Sequence, residues 1–152
     1  MTKNIIFVCH GNICRSPMAE FIMKDIVNKA KKSNQYQIDS AAATQDAIGH
    51  NIDSRAQRTL NEHNIPFSNH FARQLTREDY QKYDYLIALD EENFFDINRI
   101  CGGDPDHKEY KLLNFVGSYD DVDDPWYTGD FEKSYQDIYR GCKALFKKLE
   151  DK

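Results

Sequence analysis

Long hydrophobic runs are missing from this sequence: no apolar stretch approaches the roughly 18 consecutive residues that a transmembrane helix needs. A basic surplus is missing too. Lysine and arginine number 20 against 25 acidic residues, a net charge of −5, which argues against the basic face that general nucleic-acid binding uses. Cysteine is sparse: Cys9, Cys14, Cys101 and Cys142 do not resemble a disulfide framework in a chain of 152 residues, long enough to bury its own core. Cys9 and Cys14 also lack a second cysteine or histidine pair at zinc-binding spacing, so no metal is expected. Repeats, low-complexity tracts and interdomain linkers are absent, and residues 1–152 read as one domain. The N-terminus enters an apolar run almost at once, without the pattern of a signal or transit segment, so a cytoplasmic location is expected. Nothing in the pattern sets an oligomeric state.

Four β-leaning runs are present: Asn4–Cys9, Tyr36–Ser40, Tyr85–Leu89 and Lys111–Phe115. Segments of helical periodicity alternate with them. Ser16–Ala30 carries an apolar stripe through Met18, Ile22, Met23 and Ile26. Asp53–His63 opens on an acidic cap, and Thr76–Lys82 on a Thr-x-x-Asp capping box. Glu91–Ile100 and Phe131–Leu149 complete the set. The alternation predicts an α/β domain with a parallel sheet covered by helices on both faces, whose ligands bind beyond the carboxyl ends of the strands. Cys9 sits at such an end. Gly102–Glu109 and Gly117–Asp130 read as surface loops. His50, His63 and His107 have no partner pattern and read as surface or packing residues.

The run Cys9-His10-Gly11-Asn12-Ile13-Cys14-Arg15-Ser16-Pro17, leaving a strand and entering a helix, has the makings of a phosphate cradle. Gly11 and Asn12 tolerate left-handed backbone angles and would let successive N–H groups turn inward as an anion-binding nest. Ser16 is placed to cap the helix, Pro17 suits its first turn, and the helix would point its positive end at the anion. Arg15 adds a planar fork for two phosphate oxygens. Beneath them the Cys9 thiol would ionise more readily than a free cysteine and attack phosphorus. The bland alternative is a core cysteine ending a strand beside an exposed arginine; the strand before, the Gly-Asn turn and the Ser-Pro helix start weigh against it. Cys14 either forms a reversible disulfide with Cys9 or packs beneath the loop.

Such a reaction needs a general acid for the departing oxygen. Asp124 stands before Pro125, which biases it to an extended conformation, and Asp121 and Asp123 would raise its pKa by repulsion. From the residues alone an ordinary solvated acidic loop fits equally well. Trp126 and Tyr127 supply flat walls for an aromatic ring, or else anchor the loop to the core.

Cys9–Pro17 resembles the signature loop of the low-molecular-weight protein tyrosine phosphatases. Further matches follow in order: Asp39-Ser40-Ala41, Asp53-Ser54-Arg55, His70-Phe71-Ala72-Arg73-Gln74, Asp84-Tyr85, Asp90-Glu91-Glu92-Asn93 and Asp124-Pro125-Trp126-Tyr127. The resemblance implies a single-domain, doubly wound, four-stranded parallel sheet and a phosphomonoester hydrolase working through a cysteinyl-phosphate, without cofactor. It makes Cys9 the nucleophile, Arg15 and the loop from His10 to Cys14 the phosphate binders, and Asp124 the general acid. It also makes Ser16 a donor to the thiolate, and Asn12, Ser40 and His70 braces of the loop. Trp126 falls on the aromatic wall position and Tyr127 on that of a second tyrosine. The expected partners are phosphotyrosine proteins or small aryl phosphates. Two departures give a more polar rim: Asp46 stands where an aromatic wall is common, and His10 replaces an often apolar residue. Such a rim favours basic or smaller esters over acidic phosphopeptides. A bell-shaped pH profile on the mildly acidic side is expected, because thiolate and protonated acid must coexist. Two rivals remain at this point. Arsenate reductases share the loop, but Cys101, in a loop, and Cys142 do not match their relay cysteines. A phosphopeptide-binding module would usually have lost the cysteine, arginine or acid, all of which are present.

Overall fold

The computed structural model describes residues 2–151. Strands β1 (Lys3–Cys9), β2 (Tyr36–Ala42), β3 (Tyr85–Ala88) and β4 (Glu109–Lys111) alternate with helices α1 (Arg15–Lys29), α2 (Ser54–Glu62), α3 (Asp79–Lys82) and α4 (Glu91–Cys101). A 3-10 turn at Leu112–Val116, the short α5 (Pro125–Thr128) and the long α6 (Phe131–Glu150) follow. The four strands are parallel in the order β2-β1-β3-β4, with Cys9 beside Ala42 and Ala88 beside Lys111. The chain steps from β1 to one side, then crosses to the other at β3. The carboxyl ends of β1 and β3 therefore flank the point where strand order reverses, the usual place for a ligand in an open α/β sheet.

Side-chain alternation along β1 explains why it is central. Ile5 and Phe7 join one apolar cluster with Met18, Ile22 and Met23 of α1 and Ile138 and Leu145 of α6; Ile6 and Val8 join a second with Tyr80 of α3 and Ile97 of α4. Each of these fully buried apolar side chains contributes about 1.5–3 kcal/mol. Between these two layers β1 ends on Cys9, buried at the carboxyl edge of the sheet. Among the described residues no helix is long and apolar enough to cross a membrane.

Three expected elements differ. The fourth strand, expected over Lys111–Phe115, lies at Glu109–Lys111, and Leu112–Val116 turns instead. The Asn114 side chain accepts from the Lys111 N–H (2.9 Å) and donates to Ser118 O (3.1 Å), and Gly117 takes φ 78°, so the apolar run folds under the sheet rather than extending it. The helix expected from Thr76 begins at Asp79, whose carboxylate takes both the Thr76 N–H (2.8 Å) and its hydroxyl (3.2 Å). That threonine donates where a cap would accept. The loop 117–130 contains α5, capped by Asp124.

Candidate active site

Asn12 carries the turn that opens the Cys9–Arg15 loop. It is buried, takes φ 61°, and donates through Nδ2 to Ser16 Oγ (2.8 Å) and Ser40 Oγ (2.9 Å). Its Oδ1 lies 2.9 Å from His70 Nε2 and accepts the Arg73 N–H at 3.3 Å. Burial lowers the His70 pKa, more than Glu20 offsets; Nε2 faces the Asn12 amide oxygen while Nδ1 lies 3.6 Å from Glu20 Oε1. Gly11, by contrast, is not in the left-handed region, and a Cβ there would make only ordinary contacts, with Ala47 Cβ at 3.7 Å and Ile13 Cγ1 at 3.8 Å; the expected glycine freedom is not used in the turn.

Ser16 does not cap α1. The helix begins at Arg15 with Cys14 as its cap residue and no side-chain cap bond. The Ser16 hydroxyl accepts from Asn12, which leaves its proton for the Cys9 sulfur at 3.0 Å, and the Ser16 N–H points at the same sulfur at 3.4 Å. Both donors suit a sulfur that carries negative charge. The loop's carbonyls are occupied from outside: Cys9 O by Ala43 N (2.8 Å), His10 O by Thr44 N (3.1 Å) and Ile13 O by Asp53 N (2.9 Å). Cys14 is buried beside the cavity, and its thiol pKa is pushed up first by that burial and then by Cys9.

Arg15 is only 2% exposed. Its Nη1 donates to Asp90 Oδ2 (2.8 Å) and Val122 O (2.9 Å), and its Nη2 lies 3.4 Å from Asp124 Oδ2. Burial disfavours the charge, but Cys9, Asp90 and Asp124 together outweigh it and raise the pKa. Asp90 is itself fixed, since its Oδ1 caps α4 by accepting Asn93 N (2.7 Å).

Asp124 reaches this arginine from the far end of the chain. Its Oδ1 accepts the Trp126 N–H (3.1 Å) as the cap of α5, while Oδ2 faces Arg15. The neighbours expected to repel it are turned elsewhere: Asp121 to Lys111 Nζ (2.7 Å) and Asp123 to Lys133 Nζ (3.6 Å).

These groups open on a cavity of about 350 Å³ lined by Cys9, His10, Gly11, Ile13, Cys14 and Arg15, with Asp124, Trp126 and Tyr127 across from Asp46. Trp126 is held by the Arg55 guanidinium, 5.3 Å from its ring centre, and Arg55 is itself paired with Asp53 (3.1 Å). Asp46 Oδ2 meets His10 Nε2 at 2.7 Å, so the polar rim is a linked pair. Ser40 and His70 lie beneath the cavity in the bracing network, together with the buried Glu20, whose Oε1 accepts from Ser40 Oγ (2.6 Å). Glu20 and Val122 carry no signal in the sequence and Asp90 only a place at the same edge of the sheet, while His50, exposed as expected, also lines the cavity with Ala47. Among the described residues no three histidine, cysteine or acidic side chains gather as a metal site.

The chain matches a family model described as low molecular weight phosphotyrosine protein phosphatase over residues 4–152. It is 40% identical over 154 residues to the human low molecular weight phosphotyrosine protein phosphatase, covering 97% of this chain and 96% of that one. Among solved structures it is similar to YfkJ from Bacillus subtilis (TM-score 0.94, 36% identity, 99% and 96% of the two chains). It is also similar to the low molecular weight protein tyrosine phosphatase of Streptococcus pyogenes (TM-score 0.89, 37% identity, 99% and 95%).

Proposed function

Since the chain belongs to the low molecular weight phosphotyrosine protein phosphatase family, we propose that Cys9, Arg15 and Asp124 carry its reaction, the hydrolysis of phosphotyrosine in proteins through a cysteinyl-phosphate. Residues 1–152 form a single phosphatase domain on this reading. The observation that carries it is the Cys9 sulfur, with two Ser16 donors aimed at it, sharing one cavity with a buried arginine that also meets Asp124.

The Cys9 sulfur forms a bond to phosphorus as the bond to the phenolic oxygen breaks, and Asp124 gives that oxygen a proton. Arg15 and the backbone N–H groups of the loop hold the charge on the equatorial oxygens, with little reorganisation because the Cys9, His10 and Ile13 carbonyls and Asn12 are already committed. Water then attacks phosphorus, the sulfur–phosphorus bond breaks, Asp124 takes a proton from the water, and inorganic phosphate leaves. Trp126 and Tyr127 flank the ring. The linked His10–Asp46 rim supports acceptance of basic or smaller aryl phosphates besides phosphotyrosine proteins.

The oxidoreductase reading loses support. Cys101 ends α4 rather than lying in a loop, and Cys101 and Cys142 are buried, with burial pushing the Cys101 thiol up to about 12. Four free, buried thiols fit the reducing cytoplasm.

The test is hydrolysis of p-nitrophenyl phosphate between about pH 4 and 8 with a chelator present. Turnover by the reduced wild type and none by Cys9→Ser are expected, and on phenyl phosphate, whose leaving group needs the proton, Asp124→Asn loses about 10²–10⁴-fold. An inactive wild type, or an active Cys9→Ser, contradicts the assignment.

A further inference from the structure

Asp124 has to be held against Arg15, yet the segment that brings it there is mostly exposed between Ser118 and Asp130. Three anchors tie that segment down. Val122 is fully buried, its N–H donating to Leu89 O (2.8 Å) at the end of β3 and its carbonyl accepting from Arg15. Ser134 of α6, also buried, donates to Asp123 O (3.0 Å). The third anchor is Lys111, the last residue of β4.

Lys111 is a lysine taken out of water, at 6% exposure. Its Nζ donates to Tyr119 O (2.6 Å) and meets Asp121 Oδ1 (2.7 Å), both on the segment, and Glu91 Oε1 (3.2 Å) on α4. Asp121 Oδ1 in turn accepts the Glu91 N–H (2.9 Å), one residue after the Asp90 that holds Arg15. Burial disfavours the ammonium, but the bonds to Asp121 and Glu91 outweigh it, so its pKa stays raised and the charge is fixed. Without it, two carboxylates would face each other and a backbone carbonyl would lose its donor.

We propose that Lys111 is a positioning residue for the reaction: it binds the acid-bearing segment to the first turn of α4, so that Asp124 and the Asp90-held Arg15 stay in register across the cavity. The inference rests on Asp124 as the general acid. Its consequence depends on the leaving group. Phenol departs poorly without a proton and p-nitrophenol departs well without one, so a misplaced acid slows the first much more than the second.

The experiment measures kcat/KM for phenyl phosphate and p-nitrophenyl phosphate in wild type, Lys111→Met, Lys111→Arg, Asp121→Ala and Asp124→Asn, with thermal unfolding of each. Lys111→Met is expected to lose about tenfold more on phenyl phosphate than on p-nitrophenyl phosphate. Asp121→Ala, at an exposed position, shows the same bias more weakly, and Lys111→Arg restores most of the loss. Equal losses on both substrates in folded Lys111→Met and Asp121→Ala, or no loss, overturn the proposal. Asp124→Asn without the bias overturns the acid assignment itself, and the role of Lys111 with it.

Discussion

Asn12 joins a backbone requirement to a hydrogen-bonding one. A left-handed φ of 61° costs most side chains about 1 kcal/mol or more, and asparagine tolerates it better than most. Its buried amide then ties the loop to Ser16, Ser40 and His70. The two contributions separate experimentally. Asn12→Gly keeps the backbone freedom and Asn12→Ala does not, while both lose the amide. Urea unfolding is expected to find the alanine variant less stable than the glycine variant by about 1 kcal/mol, the reverse of the usual order, with kcat/KM down about tenfold in both. Equal stability, or a more stable alanine variant, contradicts this role. At this scale the sequence was informative where the working residues are contiguous. Cys9 through Arg15 lie on one strand, loop and helix start, so their types constrain one another. Gly11 shows the limit, because a residue that permits a turn is not thereby the residue that makes it.

Where two elements meet, Glu109 of β4 packs beside α4, buried, with Oε1 accepting from Asn98 Nδ2 (3.0 Å). Burial raises its pKa to about 7; the Asn98 bond opposes the rise and Asp104 adds to it. A carboxyl with a raised folded pKa binds more protons folded than unfolded. Its contribution to stability is therefore fully present below about pH 4.5 and is lost as pH rises through about 7. Chemical denaturation from pH 4 to 8 is expected to show Glu109→Gln gaining on wild type by up to about 3 kcal/mol, and parallel curves would contradict it. Element boundaries were legible only where one signal dominated. The β1–α1 unit followed its periodicity, whereas the run after Lys111 had the apolar content of a strand and was bent by Asn114 and Gly117. Periodicity registers burial, and a buried 3-10 turn satisfies it as well as a strand does.

In the whole molecule, the site is a product of strand order. β1 and β3 lie side by side, which brings Cys9 and Asp90 to one edge, and α6 with β4 fixes the segment that delivers Asp124. This explains why Asp90, Val122 and Glu20 had no clear role in the sequence: each acts through a neighbour far away in the chain, and periodicity carries no strand order. Asp124 was a candidate from its place before Pro125, evenly matched by a solvated loop until the family resemblance favoured it, because one carboxylate in an acidic loop looks like the next until Arg15 faces it. The central claim, a phosphoryl group carried on Cys9, is tested most directly by rapid acid quench of the enzyme turning over p-nitrophenyl phosphate, followed by peptide mass mapping. A phosphoryl adduct on the peptide carrying Cys9, enriched in Asp124→Asn if water attack is slowed more than adduct formation, is the predicted result. Turnover with no adduct on any cysteine, or an adduct on another residue, would contradict the account.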